Sequence, residues 1–313
     1  MSLGQVMIMR SLAILLLGSV AAGGVDFATT AGAADPLQVI VWDEQQPAQK
    51  EAYPQFLGNQ IAAYLKSLDG LEVKSVKQDD PDQGLPKEVL DKCDVLVWWG
   101  HIRQHDVSEE RARDIVERVR RGQLDLIALH SAHWALPFMI AMEERTITDA
   151  IAKLPEGKRG NAKVRFIDQR IRRAPKYEAP KTPAVVATEE VDGVTTILMR
   201  RPNCCFPAYR PDAKPSTIEV LMKDHPIAQG LPEKFMVPHT EMYDEHFHVP
   251  APDQVVLQEH WELGEQFRSG SVWNLGQGKI FYFRPGHEIF NVYFQDETLR
   301  VLENAVRWLG STP

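Results

Sequence analysis

Apolar runs alternate with amphipathic segments over the first half of the chain, a pattern typical of alternating strands and helices. The predicted strands are residues 37–42, 71–76, 93–100 and 124–129. The runs at 37–42 and 93–100 are continuously apolar, as in strands that are covered on both faces. Apolar residues at helical spacing predict helices over 53–68 and 108–122. This order predicts an α/β fold with a doubly wound, mostly parallel sheet.

The second half begins with a break in this pattern. From about residue 143 to residue 212 the chain is rich in Arg, Lys and Pro. This composition indicates an inserted segment or lid, or else a solvated surface excursion without a role. Five short strands and a closing helix follow, at residues 218–222, 234–237, 255–261, 267–275, 279–283 and 296–310. No repeat or linker interrupts them, so we expect one domain over residues 35–313.

The first 34 residues predict a secretory signal peptide. Arg10 precedes a short apolar core from Leu12 to Val20, and small residues at 31–33 fit a cleavage site. This core, like every later apolar run, is shorter than the roughly 20 residues that a membrane-spanning helix needs. We therefore expect a protein that is exported to the periplasm or out of the cell and has no membrane span.

Charge and cysteine content argue against several functional classes. The net charge of −8 argues against general nucleic-acid binding. Cys93, Cys204 and Cys205 make a poor disulfide framework and form no Cys-x-x-Cys zinc pattern. Cys93 opens an apolar strand and is expected to be buried. The sequence leaves open whether the chain forms a homo-oligomer.

Polar and aromatic residues follow the predicted strands, at the edge where ligands bind in an open parallel sheet. The residues at these strand ends are Glu44, Trp99, His101, His130, Ser131, Arg284 and His287. A second group lies in the stretch 241–248 and includes Glu241, Tyr243 and His246. A single histidine after a strand is more often a hydrogen-bonded structural residue. Histidines after three separate strands, together with an acidic cluster, favour a functional site instead.

Converging histidines and carboxylates permit two chemistries. They can bind a divalent metal, with imidazole nitrogens and a carboxylate as ligands and one position left open. They can instead act without a metal as general acid and base, with Arg284 stabilising an oxyanion or enolate. The spacing does not decide between them. His130 and His133 are three residues apart, and no His-Glu-x-x-His motif is present.

Seven stretches of the sequence resemble the trehalose-utilisation ThuA-like family. They are VWDE (41–44), DVLVWWGH (94–101), LHSAH (129–133), DHPIAQGL (224–231), EMYDEHF (241–247), FRSG (267–270) and GKIFYFRPGHE (278–288). These stretches cover most of the chain in the expected order, and residues 147–202 lie outside them as an insertion. The resemblance implies a flavodoxin-like fold of the class I glutamine amidotransferase type.

The resemblance also exposes a chemical difference from true glutamine amidotransferases, which carry a nucleophilic cysteine on the turn after the fourth strand. Here that turn carries His130, and none of the three cysteines is placed to replace the nucleophile. Ser131 is the only hydroxyl candidate, and it lacks the Gly-x-Ser-x-Gly context. A glutaminase is therefore not expected.

The family is linked to the breakdown of disaccharides such as trehalose, alongside dehydrogenases that oxidise a sugar hydroxyl to a ketone. The resemblance therefore implies an enzyme or binder that acts on sugars. Together with the predicted export, it leads to the hypothesis of an exported lyase, hydrolase or isomerase that acts on a disaccharide or keto-sugar. In this hypothesis Glu241 or His130 is the base, while His287 and Arg284 stabilise negative charge. The expected substrate-binding residues are Glu44, Trp99, His101, Ser131, Tyr243 and His246. If a divalent metal such as Zn²⁺ is present, the expected ligands are His101, Glu241 and His287.

An alternative hypothesis is a non-catalytic protein that binds a sugar or a partner on the same scaffold. It predicts saturable sugar binding without turnover, and it predicts that a residue of similar size can replace His130.

Overall fold

A nine-stranded sheet forms the centre of the fold, and its first strands follow the predicted order. The structure, a computed structural model, describes residues 35–311, so the predicted signal peptide lies outside the described residues. The strands are β1 (Leu37–Asp43), β2 (Leu71–Lys77), β3 (Val95–Trp99), β4 (Asp125–Leu129), β5 (Lys163–Phe166), β6 (Ala184–Val191), β7 (Val194–Arg200), β8 (Ala208–Arg210), β9 (Ser216–Val220), β10 (Lys234–Val237), β11 (Met242–Asp244), β12 (Gln254–His260), β13 (Gln266–Leu275) and β14 (Gly278–Phe283). The α-helices are α1 (Leu57–Lys66), α2 (Lys87–Leu90), α3 (Glu109–Arg120), α4 (Leu136–Ala152), α5 (Glu156–Arg159) and α6 (Asp296–Gly310). Short 3₁₀ helices cover Pro47–Glu51, Pro81–Gly84, Gln104–Asp106, His130–Trp134, Pro226–Ala228 and Val292–Phe294.

The strand order across the large sheet is β10-β9-β12-β13-β14-β4-β3-β1-β2. Parallel pairing joins β2, β1, β3, β4 and β14. Antiparallel pairing then adds β13, β12, β9 and β10 on one side. The predicted α/β fold is confirmed, and its parallel half carries the strand ends that the sequence singles out.

Alternate residues of the parallel strands enter two separate cores, one on each face of the sheet. One core packs β3 and β4 against α3 and α4, and it includes Trp98 and Phe138. The other packs the same strands against α1 and α6, and it includes Trp99 and Leu302. This two-sided burial explains why the parallel strands are continuously apolar.

The helix ends follow local capping chemistry. At α3 the Ser108 hydroxyl accepts the backbone N–H of Arg111, and acidic residues in the first turn face the positive end of the helix dipole. At α6 Asp296 is the first helical residue, and Gln295 is the N-cap. The helix also includes Gly310, where a Cβ atom would lie 2.9 Å from the side chain of Leu37. Close packing against Leu37 therefore favours glycine at this position.

The predicted insertion includes elements that the sequence pattern does not show. Residues 147–202 contain the end of α4, the short helix α5 and the three strands of a separate sheet in the order β5-β7-β6. A small apolar cluster of Ala150, Ile197 and Met199 packs this sheet against α4. After it, β8 pairs with β11 in a two-stranded ribbon that precedes the 245–248 segment. All described residues belong to one compact unit, and none of their helices is long and apolar enough to cross a membrane.

Candidate functional site

The carboxyl ends of four neighbouring parallel strands lie at the same level of the sheet. Asp43 is paired with Trp99, Trp99 with Leu129, and Leu129 with Phe283. The segments that follow these strands therefore start side by side at one edge, as the sequence predicts. Three histidines and two glutamates meet there, and we refer to them as the His/Glu cluster: His101, His130, His287, Glu241 and Glu288.

His130 stands on the sharp turn after β4. Its backbone φ is +50°, in the left-handed region that costs a non-glycine residue about 1 kcal/mol or more. The Tyr282 hydroxyl donates a 2.9 Å hydrogen bond to the backbone carbonyl of His130 and so supports the turn. Strain of this kind is concentrated at functional sites.

The two ring nitrogens of His130 face two different oxygen atoms. Nδ1 lies 3.0 Å from the backbone carbonyl oxygen of Arg284, so Nδ1 carries a hydrogen and donates it. Nε2 lies 3.2 Å from Oε2 of Glu241. The Tyr243 hydroxyl lies 3.3 and 3.4 Å from the two nitrogens and is therefore not aligned with either one. Because a carboxylate faces Nε2, a proton or another cation is needed between them.

The three imidazole rings of the cluster face one another. Their centroids are 5.4 Å apart for His130 and His287, 5.5 Å for His101 and His287, and 6.2 Å for His101 and His130. Nδ1 of His101 lies 2.9 Å from both carboxylate oxygens of Glu288. Nδ1 of His287 lies 3.4 Å from the same carboxylate. His101 and Glu288 therefore form a closely paired imidazole and carboxylate.

Potential metal-ligating atoms form two groups, in each of which all atoms lie within 4.8 Å of one another. One group is His101, His287 and Glu288, and the other is His130, Glu241 and His287. The predicted metal set of His101, Glu241 and His287 is divided between them. Glu288 is absent from the predicted set, although its position directly after His287 at the end of β14 was a usable signal.

Burial and mutual contacts set the charges of the cluster. Burial opposes ionisation of Glu288, but the hydrogen bond and charge of His101 outweigh burial and lower the pKa of Glu288 to about 2. Burial also opposes ionisation of Glu241, and the hydrogen bond from His130 with the neighbouring histidines lowers its pKa. Burial, together with His130, lowers the pKa of His287 to about 4. For His101, burial favours the neutral ring, but the contact with Glu288 prevails and raises its pKa. Two ionised carboxylates thus surround a neutral His287 near pH 7.

A pocket of about 120 Å³ opens beside the cluster. Its lining residues are His101, Ser131, His133, Trp134, Cys205, Phe206, Tyr209, Glu241 and Tyr243. Drug-sized ligands occupy roughly 300–1000 Å³, so this pocket accommodates only one end of a substrate. Tyr243 stacks on Phe206 with ring centroids 3.9 Å apart. The buried indole N–H of Trp134 faces only the weakly accepting thiol of Cys205. These apolar faces and the unused donor suit a hydroxylated ring.

The cysteine that borders this pocket does not supply a nucleophile. Burial raises the pKa of the Cys205 thiol to about 12, so almost no thiolate is present at neutral pH. Cys93 and Cys204 are buried free thiols as well. The turn that carries a cysteine in amidotransferases carries His130 here.

A larger cavity of about 890 Å³ lies apart from this chemistry. It is lined mainly by residues 168–182 and 200–203, and it includes the basic side chains of Arg173, Lys176 and Arg200. No member of the His/Glu cluster lines it. The His/Glu cluster therefore adjoins the smaller pocket and not this cavity.

Two residues that were predicted to bind substrate have structural roles instead. The completely buried carboxylate of Glu44 accepts the backbone N–H groups of Ile102, Arg103 and Gln104 at 3.0, 2.8 and 2.8 Å. Glu44 thereby shapes the loop that carries His101. Trp99 is also completely buried, and its indole N–H donates to the carbonyl of Gly286 over 2.9 Å. Neither side chain can stack on or bind a sugar in the pocket.

Arg284 and His246, which were also predicted at the site, lie away from the pocket. The Arg284 side chain is completely buried, and its guanidinium donates to Glu259, to the Thr240 hydroxyl and to the Glu241 carbonyl. Its donors are therefore engaged inside the protein, away from any oxyanion in the pocket. His246 lines a different cavity, beside Lys181 and Arg268. Ser131 and Tyr243 do line the pocket, together with His133, which had no predicted role.

Comparison with known proteins identifies the family. The family model described as ThuA, trehalose utilisation, matches residues 38–309. The chain belongs to the ThuA family. This membership relates it to the class I glutamine amidotransferase-like superfamily and connects it with carbohydrate metabolism. A comparison with curated protein sequences gives no match.

Two solved structures support the ThuA fold. A ThuA-like protein from Parabacteroides merdae is 14% identical, with a TM-score of 0.57, over 88% of this chain and 91% of that one. A ThuA-like protein from Bacteroides uniformis is 15% identical, with a TM-score of 0.52, over 88% of this chain and 93% of that one. At these identities the similarity concerns the fold alone.

Proposed function

We propose that this ThuA-family protein is an enzyme that acts on the ketone form of a sugar by removing a proton from the carbon beside the ketone. The observation that carries the proposal is the His101–Glu288 pair, whose histidine lines the pocket together with Glu241. The ThuA family supplies the substrate class, a carbohydrate. The pocket of about 120 Å³ can hold one end of such a carbohydrate.

His101 has the properties of a general base. Its Nδ1 is held by the Glu288 carboxylate, which fixes the tautomer and leaves Nε2 to meet the substrate. The side chain is about 30% exposed, so a substrate can reach it. The contact with Glu288 raises the pKa of His101 against the effect of burial, so this carboxylate stabilises the ring once it has taken up a proton.

Hydroxyl groups of the pocket can stabilise the charge that this step creates. When the proton moves from carbon to His101, the electron pair moves into the ketone and leaves negative charge on its oxygen. The hydroxyls of Ser131 and Tyr243, which line the pocket, are the groups available to stabilise that oxygen. The enolate can then expel a substituent from the next carbon, which gives a lyase, or take the proton back at a different carbon, which gives an isomerase.

This assignment revises the predicted roles. His101 replaces Glu241 and His130 as the proposed base, because its ring is the exposed one and its partner carboxylate is already in place. Ser131 and Tyr243 take over the stabilisation of negative charge from His287 and Arg284, which do not line the pocket.

The test compares a glucoside with its 3-keto derivative as substrate, followed by NMR in deuterated water. We expect deuterium to enter the carbon beside the ketone, with consumption of the keto-sugar only. His101→Asn should lower the rate by about 10²–10⁴-fold, whereas His246→Asn serves as the matched control. Saturable binding with no exchange and no turnover would favour the non-catalytic binding protein instead.

A further inference from the structure

We propose that His130, His287 and Glu241 form a binding site for a divalent first-row transition metal ion such as Zn²⁺. The inference rests on the proposed function only in taking the His/Glu cluster as the reactive centre. The metal site and the proposed function can be refuted separately, because metal binding is measured without any sugar.

The donor set fits such an ion. Two imidazoles and one carboxylate are the ligands of a facial site that leaves further positions open. Ligand atoms on one ion lie roughly 3–3.5 Å apart, since metal–ligand distances are about 2.1 Å. Nε2 of His130 and Oε2 of Glu241 already lie 3.2 Å apart. His287 offers its ligand atom within 4.8 Å of both.

The hydrogen bonding of His130 directs one of its ring nitrogens toward Glu241. Because Nδ1 faces the Arg284 carbonyl, Nε2 is the ring nitrogen that lies near the Glu241 carboxylate. Two ligand atoms 3.2 Å apart can bind the same ion. The backbone carbonyl of Arg284 is also the kind of partner that orients a metal-ligating histidine from behind.

The other carboxylate of the cluster, that of Glu288, already has a hydrogen-bond partner. Both oxygens of Glu288 lie 2.9 Å from Nδ1 of His101, which donates to them. Among the described residues, histidines are the basic side chains at ion-pair distance from Glu241 and Glu288. The nearby Arg284 is neutralised by Glu259. Glu241 is the cluster carboxylate that is grouped with both His130 and His287.

Burial and access agree with a reactive metal site. His130, Glu241 and His287 are each less than 10% exposed, so the ion would be held in a low-dielectric setting. Glu241 also lines the pocket, so an open coordination position would face the substrate. When bound, the ion would supply Lewis-acid polarisation of the ketone oxygen, and His101 would remain free to move the proton.

The experiment uses the purified chain without an affinity tag, stripped with a chelator and dialysed. Zn²⁺ binding is then measured by calorimetry and elemental analysis, and Co²⁺ binding by visible absorption. We expect one ion per chain. Glu241→Gln and His287→Asn should each weaken binding by at least about 100-fold, and circular dichroism would verify that both variants are folded.

The matched control for Glu241→Gln is Glu288→Gln, which removes the other carboxylate and should change the affinity by less than about tenfold. His246→Asn should leave it unchanged. No stoichiometric ion in the wild type, or loss of binding in Glu288→Gln with retention in Glu241→Gln, would overturn the assignment. Sugar turnover by the metal-free protein would also refute the metal's catalytic part, whereas a bound ion without turnover would leave the site intact and refute only the proposed function.

Discussion

Arg284 and Glu259 form an ion pair in which both side chains are completely buried. The guanidinium donates through Nε and Nη2 to the two carboxylate oxygens. Through Nη1 it also donates to the Thr240 hydroxyl and, at 2.7 Å, to the Glu241 carbonyl. Arg284, which directly follows β14, thus holds the segment that carries Glu241. The pair positions the site without touching a substrate.

Breaking this pair should be costly. Arg284→Met leaves the Glu259 carboxylate buried without a counter-charge, so we expect the free energy of unfolding to fall by about 3–5 kcal/mol. Urea denaturation measures this change. Replacing Glu259 with Leu in the same chain should recover part of the loss, because both charges are then removed. A single variant as stable as the wild type would contradict this account.

Glu44 should control the order of the loop after β3. Gln at this position keeps the shape of the side chain but has one acceptor oxygen for three backbone N–H groups. We expect Glu44→Gln to cost about 1–3 kcal/mol and to speed amide hydrogen exchange at Ile102, Arg103 and Gln104. The control is Asp79→Asn, which removes an exposed partner of Arg103 in the same loop. That surface pair should contribute no more than about 1 kcal/mol, and an equal effect of both variants would contradict the prediction.

Gly286 allows the backbone before His287 to adopt a conformation that other residues avoid. Its φ is +127°, and a Cβ atom there would lie 2.7 Å from the Tyr293 ring and hydroxyl. Gly264 also has a positive φ, of +96°, but a Cβ atom added there would have no neighbour within 4 Å. Gly264→Ala therefore measures the backbone strain without a steric contact. We expect Gly286→Ala to be more destabilising than Gly264→Ala by more than about 1 kcal/mol in thermal or urea unfolding. Equal losses would show that the contact with Tyr293 relaxes freely.

His133 should make the protein less stable in acid. Burial lowers its pKa to about 3, while the Cys204 carbonyl accepts a hydrogen bond from Nδ1. The unfolded chain, with a pKa near 6.5, therefore binds more protons between pH 6.5 and 3, so stability falls as the pH drops through this window. The expected contribution has a slope of up to about 1.4 kcal/mol per pH unit.

Two variants separate this contribution from that of other acidic groups. His133→Asn retains an N–H donor but does not titrate, so its stability should depend less steeply on pH between 6.5 and 4.5. The exposed residue His239 gives the control, since His239→Asn should leave the slope unchanged. Urea titrations across the pH range compare the three proteins, and parallel curves for wild type and His133→Asn would refute the prediction.

The sequence by itself determined the order of the first four strands, the helices α1 and α3, and the edge of the sheet where His101, His130 and His287 meet. These features are local, because side-chain periodicity and capping depend on residues a few positions apart. The absence of a cysteine from the turn after β4 was equally visible, and it rules out that turn as a source of a thiolate.

Only the tertiary structure decided what each polar side chain touches. The register of β1, β3, β4 and β14 sets the strand ends level, but which partner each group meets depends on chain segments far away in sequence. Arg284 is hydrogen-bonded to Glu259, and Glu44 is hydrogen-bonded to the backbone of residues 102–104, so the polar atoms of Arg284 and Glu44 are engaged within the protein. Glu288 instead pairs with His101, which lies 187 positions away in the sequence. Hydrogen-bond partners are fixed by this long-range packing, and a one-dimensional pattern of polar residues contains no information about it.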